Sequence, residues 1–507
     1  MNIFIQKLDE LHPNKVFWWC ILSAALLAGW MQYIQHGWIN PDSVLYLEQA
    51  RLIAQGEWRK AYDIFNWPFY GACIAAVHML TNVSVHLSAQ ILNLIFFALS
   101  IAAFLRIICL SGGSIKTMLA CVLLVFGSQY IVGDVLEMLM RDEGFWASYL
   151  FAVFFFMRFY LQQKILDAFY WQICITLATL FRIEAILYAL FLPAIWLVRN
   201  DLSYSLRLKL IFRSYSLGVF AGVAIIGFLF INPEIHIQDL GRLREVFTPH
   251  LFQEFTQKLF TQAHIMSNQV LGEYLEEFAI SGLLLTFIGV IIAKILTSTG
   301  IIATVLAILG IKHRAYLFPK HILTVLLALS TIALLSMGLI IVKVFVLSSR
   351  YIVALVWILL IFAGFYWTHL LKKKSKLWLH AILTVILISG LVKNILPKRD
   401  GYNYQQNAVA WIKTYNNRNL PVYYDQSRMR YYAKAPFIGS FHENFAHTEL
   451  AVINNKINGY HYLLIESSNK TNKTQNTANK MFPAYLMIKR FCDAKKKKCI
   501  DVYERSK

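Results

Sequence analysis

Charge is what this chain has least of. Asp, Glu, Lys and Arg make up only 15% of its 507 residues, where a soluble domain carries about 25%. That shortage excludes a soluble globular enzyme. No Gly-rich phosphate cradle, no Cys-x-x-Cys pair and no Ser–His–Asp order appears, which argues against an ATP-driven or soluble-nucleotide enzyme. The histidines lack any His-x-x-x-His or comparable spacing, so nothing in the sequence calls for a structural metal. No cofactor is required by it. A divalent ion between Asp42 and Asp142 is chemically admissible, but no ligand pattern supports it.

What fills the chain instead is apolar. Hydrophobic residues reach 58%, with 36 Phe, 26 Tyr and 13 Trp. Runs of about 17–25 apolar residues, each long enough to span a bilayer, recur through residues 1–396. The formal charge of +20 is gathered between those runs, as orientation signals are. Nucleic-acid binding is therefore set aside. The expected architecture is an all-α polytopic membrane domain over 1–396 and a small α/β or α+β domain over 397–507.

Topology follows from the basic residues. The first run, 16–35, is too long and too aromatic for a cleaved signal and reads as a first helix leaving the cytoplasm. The apolar stretch 67–80 is too short for a span and reads as an interfacial or re-entrant helix. Eleven crossings then bring Lys116, Arg199, Arg207, Lys312 and the Lys372-Lys373-Lys374-Ser375-Lys376 run to the inner side. Residues 278–311 read as either one long kinked span or a span plus a partial one. The C-terminal domain emerges outside.

The tail holds strand-like runs near 421–424, 460–465, 485–488 and 499–503, and an amphipathic helix near 407–415. Cys492 and Cys499 flank a basic turn between two of these strands. A cross-hairpin disulfide there requires an oxidising compartment, which the outward topology provides. The other five cysteines lie singly in apolar segments and read as packing residues.

Polar groups unexplained by topology gather on the outer side. Asp42 and Glu48 lie in the first loop, Arg141-Asp142-Glu143 in the second, and Arg182 with Glu184 in the third. Arg242, Arg244, His250 and His264 occupy a long loop; Lys343 lies in an apolar helix with Arg350 at its end. The seven-residue interval predicts that Lys343 and Arg350 share a helix face. An Asp in hydrocarbon costs about 2.5–3.5 kcal/mol, so acids that persist here are expected to work or to cap. Asp42 also suits the N-cap of an amphipathic helix over 43–55, and Asp142 suits a surface pair with Arg141, worth little. Carboxylates above a cationic track fit proton removal from an acceptor while the cations hold a leaving phosphate. That chemistry is glycosyl transfer from a lipid-linked phosphate sugar.

Asn66-Trp67-Pro68-Phe69-Tyr70-Gly71 ahead of an apolar stretch resembles the Pro-Pro-Leu-Tyr segment of the membrane glycosyltransferases of GT-C fold. That group includes protein O-mannosyltransferases and aminoarabinose transferases. Asp42 falls where those enzymes have their first-loop acid, and Arg141-Asp142-Glu143 resembles their second outer motif. Thr179-Leu180-Phe181-Arg182-Ile183-Glu184 is similar to their Thr-Lys-x-x-(Glu/Gly) turn, and Arg350-Tyr351 to their Arg-Tyr before a late helix. Two positions depart: Ser43 stands where Glu is usual, and a single Pro68 replaces a pair. The resemblance implies Asp42 as catalytic base and Asp142, the other catalytic-site acid, as the second-loop acid that helps bind acceptor or donor. Substrate contacts are expected from Glu143, Arg182, Glu184, Arg350 and Tyr351 by this likeness, and from Lys343 by its place in the cationic track. The resemblance further implies a polyprenyl-phosphate donor, undecaprenyl phosphate in a bacterial inner membrane, and a lipid, glycan or protein acceptor. The competing expectations are an O-antigen polymerase or ligase, which relies on Arg- and His-bearing loops, and a secondary transporter or flippase, which predicts internal repeats.

Overall fold

The computed structural model describes residues 12–35, 37–231, 251–371, 377–397, 403–435, 456–468 and 482–506. Arg242, Arg244, His250 and the basic run 372–376 lie outside the described residues. Seven described helices are long and apolar enough to cross a membrane, or eight if the bent pair Ile115–Phe126 and Gln129–Val135 makes one crossing. The chain is a multi-pass membrane protein. Two further expected crossings, 168–181 and 183–198, fall on shorter apolar helices, Ile165–Phe181 and Ile183–Val198.

The residues group into two compact units. One comprises Met1–Met31, Asn93–Glu137 and Arg141–Ile395; the other comprises Gln32–Leu92, Met138–Met140 and Leu396–Lys507. The segment Gln32–Leu92 is thus grouped by its contacts with the C-terminal segment.

In the first unit the Val353–Leu371 helix is enclosed along most of its length. Trp357 meets the rings of Phe104 at 5.0 Å and Trp146 at 6.0 Å, both edge-on. Lipid tails are as apolar as these side chains, so such contacts hold helices together by shape. Close approach matters at Gly144, where an added Cβ would stand 2.5 Å from the Phe181 ring. The segment 278–311 resolves into the Ala279–Thr299 and Ile301–Lys312 helices, separated at Gly300. Its φ of 86° is one that only glycine adopts cheaply.

The Lys320–Val344 helix ends at Phe345, whose φ of 57° is left-handed and whose N–H returns to Ile341. Arg350 lies beyond that end, in the short 3-10 turn Ser349–Tyr351. The expectation that Lys343 and Arg350 share one helix face is therefore corrected, because the helix stops between them.

In the second unit, helix Pro41–Ala54 begins at Asn40, whose side chain accepts from the Asp42 N–H at 3.3 Å, with Pro41 at the first helical position. Both features start helices well. The cap is thus Asn40, and Asp42 stands in the first turn beside the positive end of the helix dipole. The helix is not the half-exposed amphipathic element expected: Val44, Leu45, Tyr46, Leu47, Gln49, Leu52 and Ile53 are all buried. Gln49 reaches across to donate to the carbonyls of Ala61 and Phe65 at 2.9 and 2.8 Å. Tyr46 packs edge-on against Tyr70 at 5.1 Å. The stretch expected at 67–80 is a helix, Phe69–Thr81.

The C-terminal part of this unit is a mixed four-stranded sheet in the order β1-β2-β4-β3. Its strands are β1 (Val422–Tyr424), β2 (Tyr462–Ser468), β3 (Tyr485–Cys492) and β4 (Lys498–Arg505). β1 pairs parallel with β2, and β4 runs antiparallel to both β2 and β3. Helices Tyr404–Tyr415 and Ser427–Ala433 close one face around Ala408, Ile412, Met429, Leu464 and Val502. Cys492 and Cys499, opposite each other across the β3–β4 turn, form a disulfide.

Candidate functional site

In the first unit Asp142, Glu143 and Arg182 are buried together where helix ends meet. Helix Asp142–Gln162 starts with two acids in its first turn, where the dipole favours them. Arg182 sits in extended backbone between the Ile165–Phe181 helix and the 3-10 turn at Ile183, which turns its side chain back onto that helix start. Arg182 Nη1 donates to Asp142 Oδ1 at 2.5 Å, with the two side chains only 3% and 2% exposed. Its Nε lies 3.4 Å from Glu184 Oε2. The guanidinium also stands over the rings of Tyr351 at 5.0 Å and Phe145 at 5.6 Å, a stacking that suits Arg better than Lys.

Asp142 therefore pairs with Arg182 in the interior, correcting the expectation of a surface pair with Arg141. Its second oxygen is buried and takes no hydrogen bond among the described residues. Glu143 is fully buried next to Asn93. The charges of Asp142, Arg182 and Arg350 all act on the hydroxyl of the buried Tyr130. Glu184, Arg350 and Tyr351 are only partly buried and form the accessible margin above the enclosed pair. Lys343 lies in the last turn of its helix, part-exposed, where a cation is favoured by the dipole.

The structure thus brings Asp142, Arg182, Glu184 and Tyr351 together, with Arg350 within electrostatic range. Tyr130 and Asn93 were missed in the sequence. A lone Asn amid Ile91, Leu94 and Ile95 is the signal that could have pointed to Asn93, because polar groups in spans are costly.

Asp42 belongs to the second unit and is partly exposed. Its surroundings are held tightly. Ser43 is fully buried and its Oγ accepts the backbone N–H of Leu139 at 3.1 Å. Asn40 Nδ2 lies 2.7 Å from Met138 Sδ, and the Ile39 N–H donates to the Tyr432 hydroxyl at 3.3 Å. The carboxylate is presented on a helix start whose neighbours on both sides are fixed, a requirement for a positioned base. Among the described residues no three His, Cys, Asp or Glu side chains come together as a metal site would need, and the pair Asp142–Arg182 leaves that aspartate neutralised by a cation.

No family model matches the sequence, and no curated protein matches it. Among solved structures, the chain is similar to the archaeal oligosaccharyltransferase AglB from Archaeoglobus fulgidus, determined in complex with an inhibitory peptide and a dolichol-phosphate. The match has a TM-score of 0.50 at 10% identity and covers 97% of this chain and 74% of that one. The likeness shows the fold: the chain has a GT-C architecture.

Proposed function

We propose that this protein is an inverting glycosyltransferase that moves a sugar from a polyprenyl-phosphate donor to a lipid, glycan or protein acceptor. The observation that carries the reading is the GT-C fold, matched along nearly the whole chain, with an acid displayed on the first helix of its first outer loop. The dolichol-phosphate and peptide bound to AglB support a lipid-phosphate carrier and, at a coarse level, a protein acceptor. In a bacterial inner membrane the carrier is undecaprenyl phosphate. The topology that suits this has the N-terminus in the cytoplasm and the C-terminal domain in the periplasm, where the Cys492–Cys499 bridge persists.

The chemistry is a single displacement. Asp42 takes the proton of the acceptor hydroxyl as that oxygen attacks the anomeric carbon. The bond from that carbon to the phosphate oxygen breaks, and the electron pair leaves on the polyprenyl phosphate, inverting the centre. The leaving group is a stable anion, so cations matter more than an acid. Arg350 and Lys343 are proposed to hold that phosphate. Asp142 is enclosed, so its role is positioning: it fixes Arg182, which in turn orders Tyr351 and Glu184. Glu143 stays with this buried support.

The test uses the purified full-length protein in proteoliposomes with a radiolabelled polyprenyl-phosphate sugar. Asp42→Asn, which keeps size and the Asn40 cap, is expected to lower transfer by at least about 100-fold, within the range for loss of a general base. Unchanged transfer in that variant would remove Asp42 from the mechanism. Movement of an unmodified substrate across the bilayer without transfer would replace the reading with a transporter.

A further inference from the structure

The second unit contains a cavity of about 520 Å3, within the range of small-ligand sites. Three stretches far apart in sequence converge on it. Glu48 and Arg51 come from the Pro41–Ala54 helix, Ser84 and His86 from the start of the Val85–Leu110 helix, and Tyr431 from the Ser427–Ala433 helix. Leu47, Glu48 and Arg51 follow Asp42 by five, six and nine positions. At 3.6 residues per turn they are rotated from it by roughly 140°, 240° and 180°. The cavity therefore opens on the face of the helix turned away from Asp42, and the proposed transfer does not use it.

Much of the polar lining consists of groups already joined in pairs. Arg51 Nη2 and Nε donate to Glu48 Oε1 and Oε2 at 2.6 and 2.9 Å, and Arg51 Nη1 donates to Gln55 Oε1 at 2.7 Å. Glu48 and Arg51 thus compensate each other and are held in one geometry. Each carboxylate oxygen keeps accepting capacity beyond the hydrogen bond it takes, and part of the guanidinium's five N–H donors remains. Where the Val85–Leu110 helix starts, Ser84 Oγ accepts the Leu87 N–H at 3.2 Å and keeps its own hydrogen to donate. His86 Nδ1 and the Tyr431 hydroxyl share a hydrogen bond of 2.8 Å, which fixes the two rings 6.1 Å apart at a tilt of 33°. Leu47, Val85 and Ala435 supply apolar wall between these groups.

Such a lining matches a ligand with hydroxyls on its edge and C–H groups on its faces. A hydroxyl both donates and accepts, so it can bridge the carboxylate and the guanidinium of one ion pair. Hydrogen bonds to ionised groups are the strong ones, and a pair already compensated asks no charge of the ligand. A C–H face suits the tyrosine ring, whose π-face is negative, and the aliphatic wall beside it. We propose that this cavity is a saccharide-binding site separate from the transfer site. A sugar ring is held by its hydroxyls on Glu48, Arg51 and Ser84, with one C–H face against Tyr431. The site binds without reacting, and this binding does not depend on the transfer reaction.

The test uses the full-length protein in phosphatidylcholine nanodiscs and saturation-transfer difference NMR. The probes are the methyl glycosides of glucose, galactose, mannose and N-acetylglucosamine, each titrated alone, with glycerol 3-phosphate as an anionic comparison. Saturable transfer to the ring protons of at least one glycoside is expected. The double variant Glu48→Gln/Arg51→Gln alters side chains that are 19% and 45% exposed, so the fold should tolerate it. It is expected to weaken binding by about 10–100-fold, as loss of hydrogen bonds to charged groups does. Tyr431→Leu should weaken it by about 3–10-fold, as loss of an aromatic contact does, and near-UV circular dichroism checks the folding of both variants. Asp42→Asn, on the other face of the helix, should bind as the wild type does. No saturable glycoside signal from the wild type, or equal binding in the double variant, overturns the proposal. So does binding lost in Asp42→Asn but kept in the double variant, or a signal from glycerol 3-phosphate alone.

Discussion

Removing the guanidinium of Arg182 while leaving its partners is the perturbation that bears most directly on the candidate site. The Asp142–Arg182 contact is 2.5 Å long between side chains no more than 3% exposed, so water cannot take over the role of either partner. At a charge separation of about 4 Å and an effective dielectric of about 20, the attraction is about 4 kcal/mol. That agrees with the ~3–5 kcal/mol lost when one member of a buried pair is removed. Arg182→Met is therefore expected to destabilise the protein by ~3–5 kcal/mol. Asp142→Asn leaves Arg182 its neighbour Glu184, 3.4 Å away, and keeps the side-chain shape, so about 1–3 kcal/mol is expected. The double variant Asp142→Leu/Arg182→Met removes both charges and is expected to recover most of the loss, because well-packed apolar replacements of buried pairs are often neutral. Unfolding of the full-length protein in mixed micelles, titrated with dodecyl sulfate and read by tryptophan fluorescence, measures all three. The reasoning fails if Arg182→Met is neutral, or if the double variant loses the sum of the two single losses. A double variant that folds but transfers no sugar would separate the positioning role from stability.

Three further outcomes are expected. Ser43→Ala leaves the Leu139 N–H without its acceptor in a fully enclosed place and should cost about 1–3 kcal/mol; Ser43→Glu should be worse, and proteolytic sensitivity of the 32–92 region reports both. Gly144→Ala forces a methyl against the Phe181 ring and should cost ~1–3 kcal/mol as overpacking does; Phe181→Leu in the same chain should relieve it, as read by the micelle titration. Reducing the Cys492–Cys499 bridge, which closes a separation of seven residues, should cost the sheet domain ~2–3 kcal/mol on a chain-entropy basis. Thermal melts of wild type with and without reductant, beside Cys492→Ser/Cys499→Ser, check it; equal melts for all three would show that the hairpin needs no covalent tie.

The sequence carried the class of the fold because lipid imposes long apolar runs, and these are legible one segment at a time. Arg141-Asp142-Glu143 and Arg182 with Glu184 stood out for the same reason. Their pairing was not legible: Asp142 and Arg182 are 40 residues apart, and only the packing of two helix ends makes them neighbours. The spacing of Lys343 and Arg350 misled because periodicity assumes an unbroken helix, and nothing about Phe345 announces a left-handed end. Asp42 looked like a cap because Asp is a good one, yet Asn40 ahead of Pro41 is equally good and won by position. The first loop read as exposed and amphipathic because Glu48, Gln49 and Arg51 are polar. In the fold Gln49 is buried by its two backbone acceptors, a partnership set by tertiary structure alone.

The grouping of residues 32–92 with the C-terminal segment bears on how the protein is made. The Gly37 carbonyl accepts from the Gln406 amide at 2.8 Å, and Ile39 donates to the Tyr432 hydroxyl, so the first loop finds these partners only after the sheet domain has been synthesised. At ~5–20 residues per second, the 369 residues that separate Gly37 from Gln406 take about 20–75 s to translate. Throughout that interval the Pro41–Ala54 helix has been made while its partners in the sheet domain have not. A nascent chain stalled before residue 404 therefore lacks the two contacts from Gln406 and Tyr432 that hold the start of this segment.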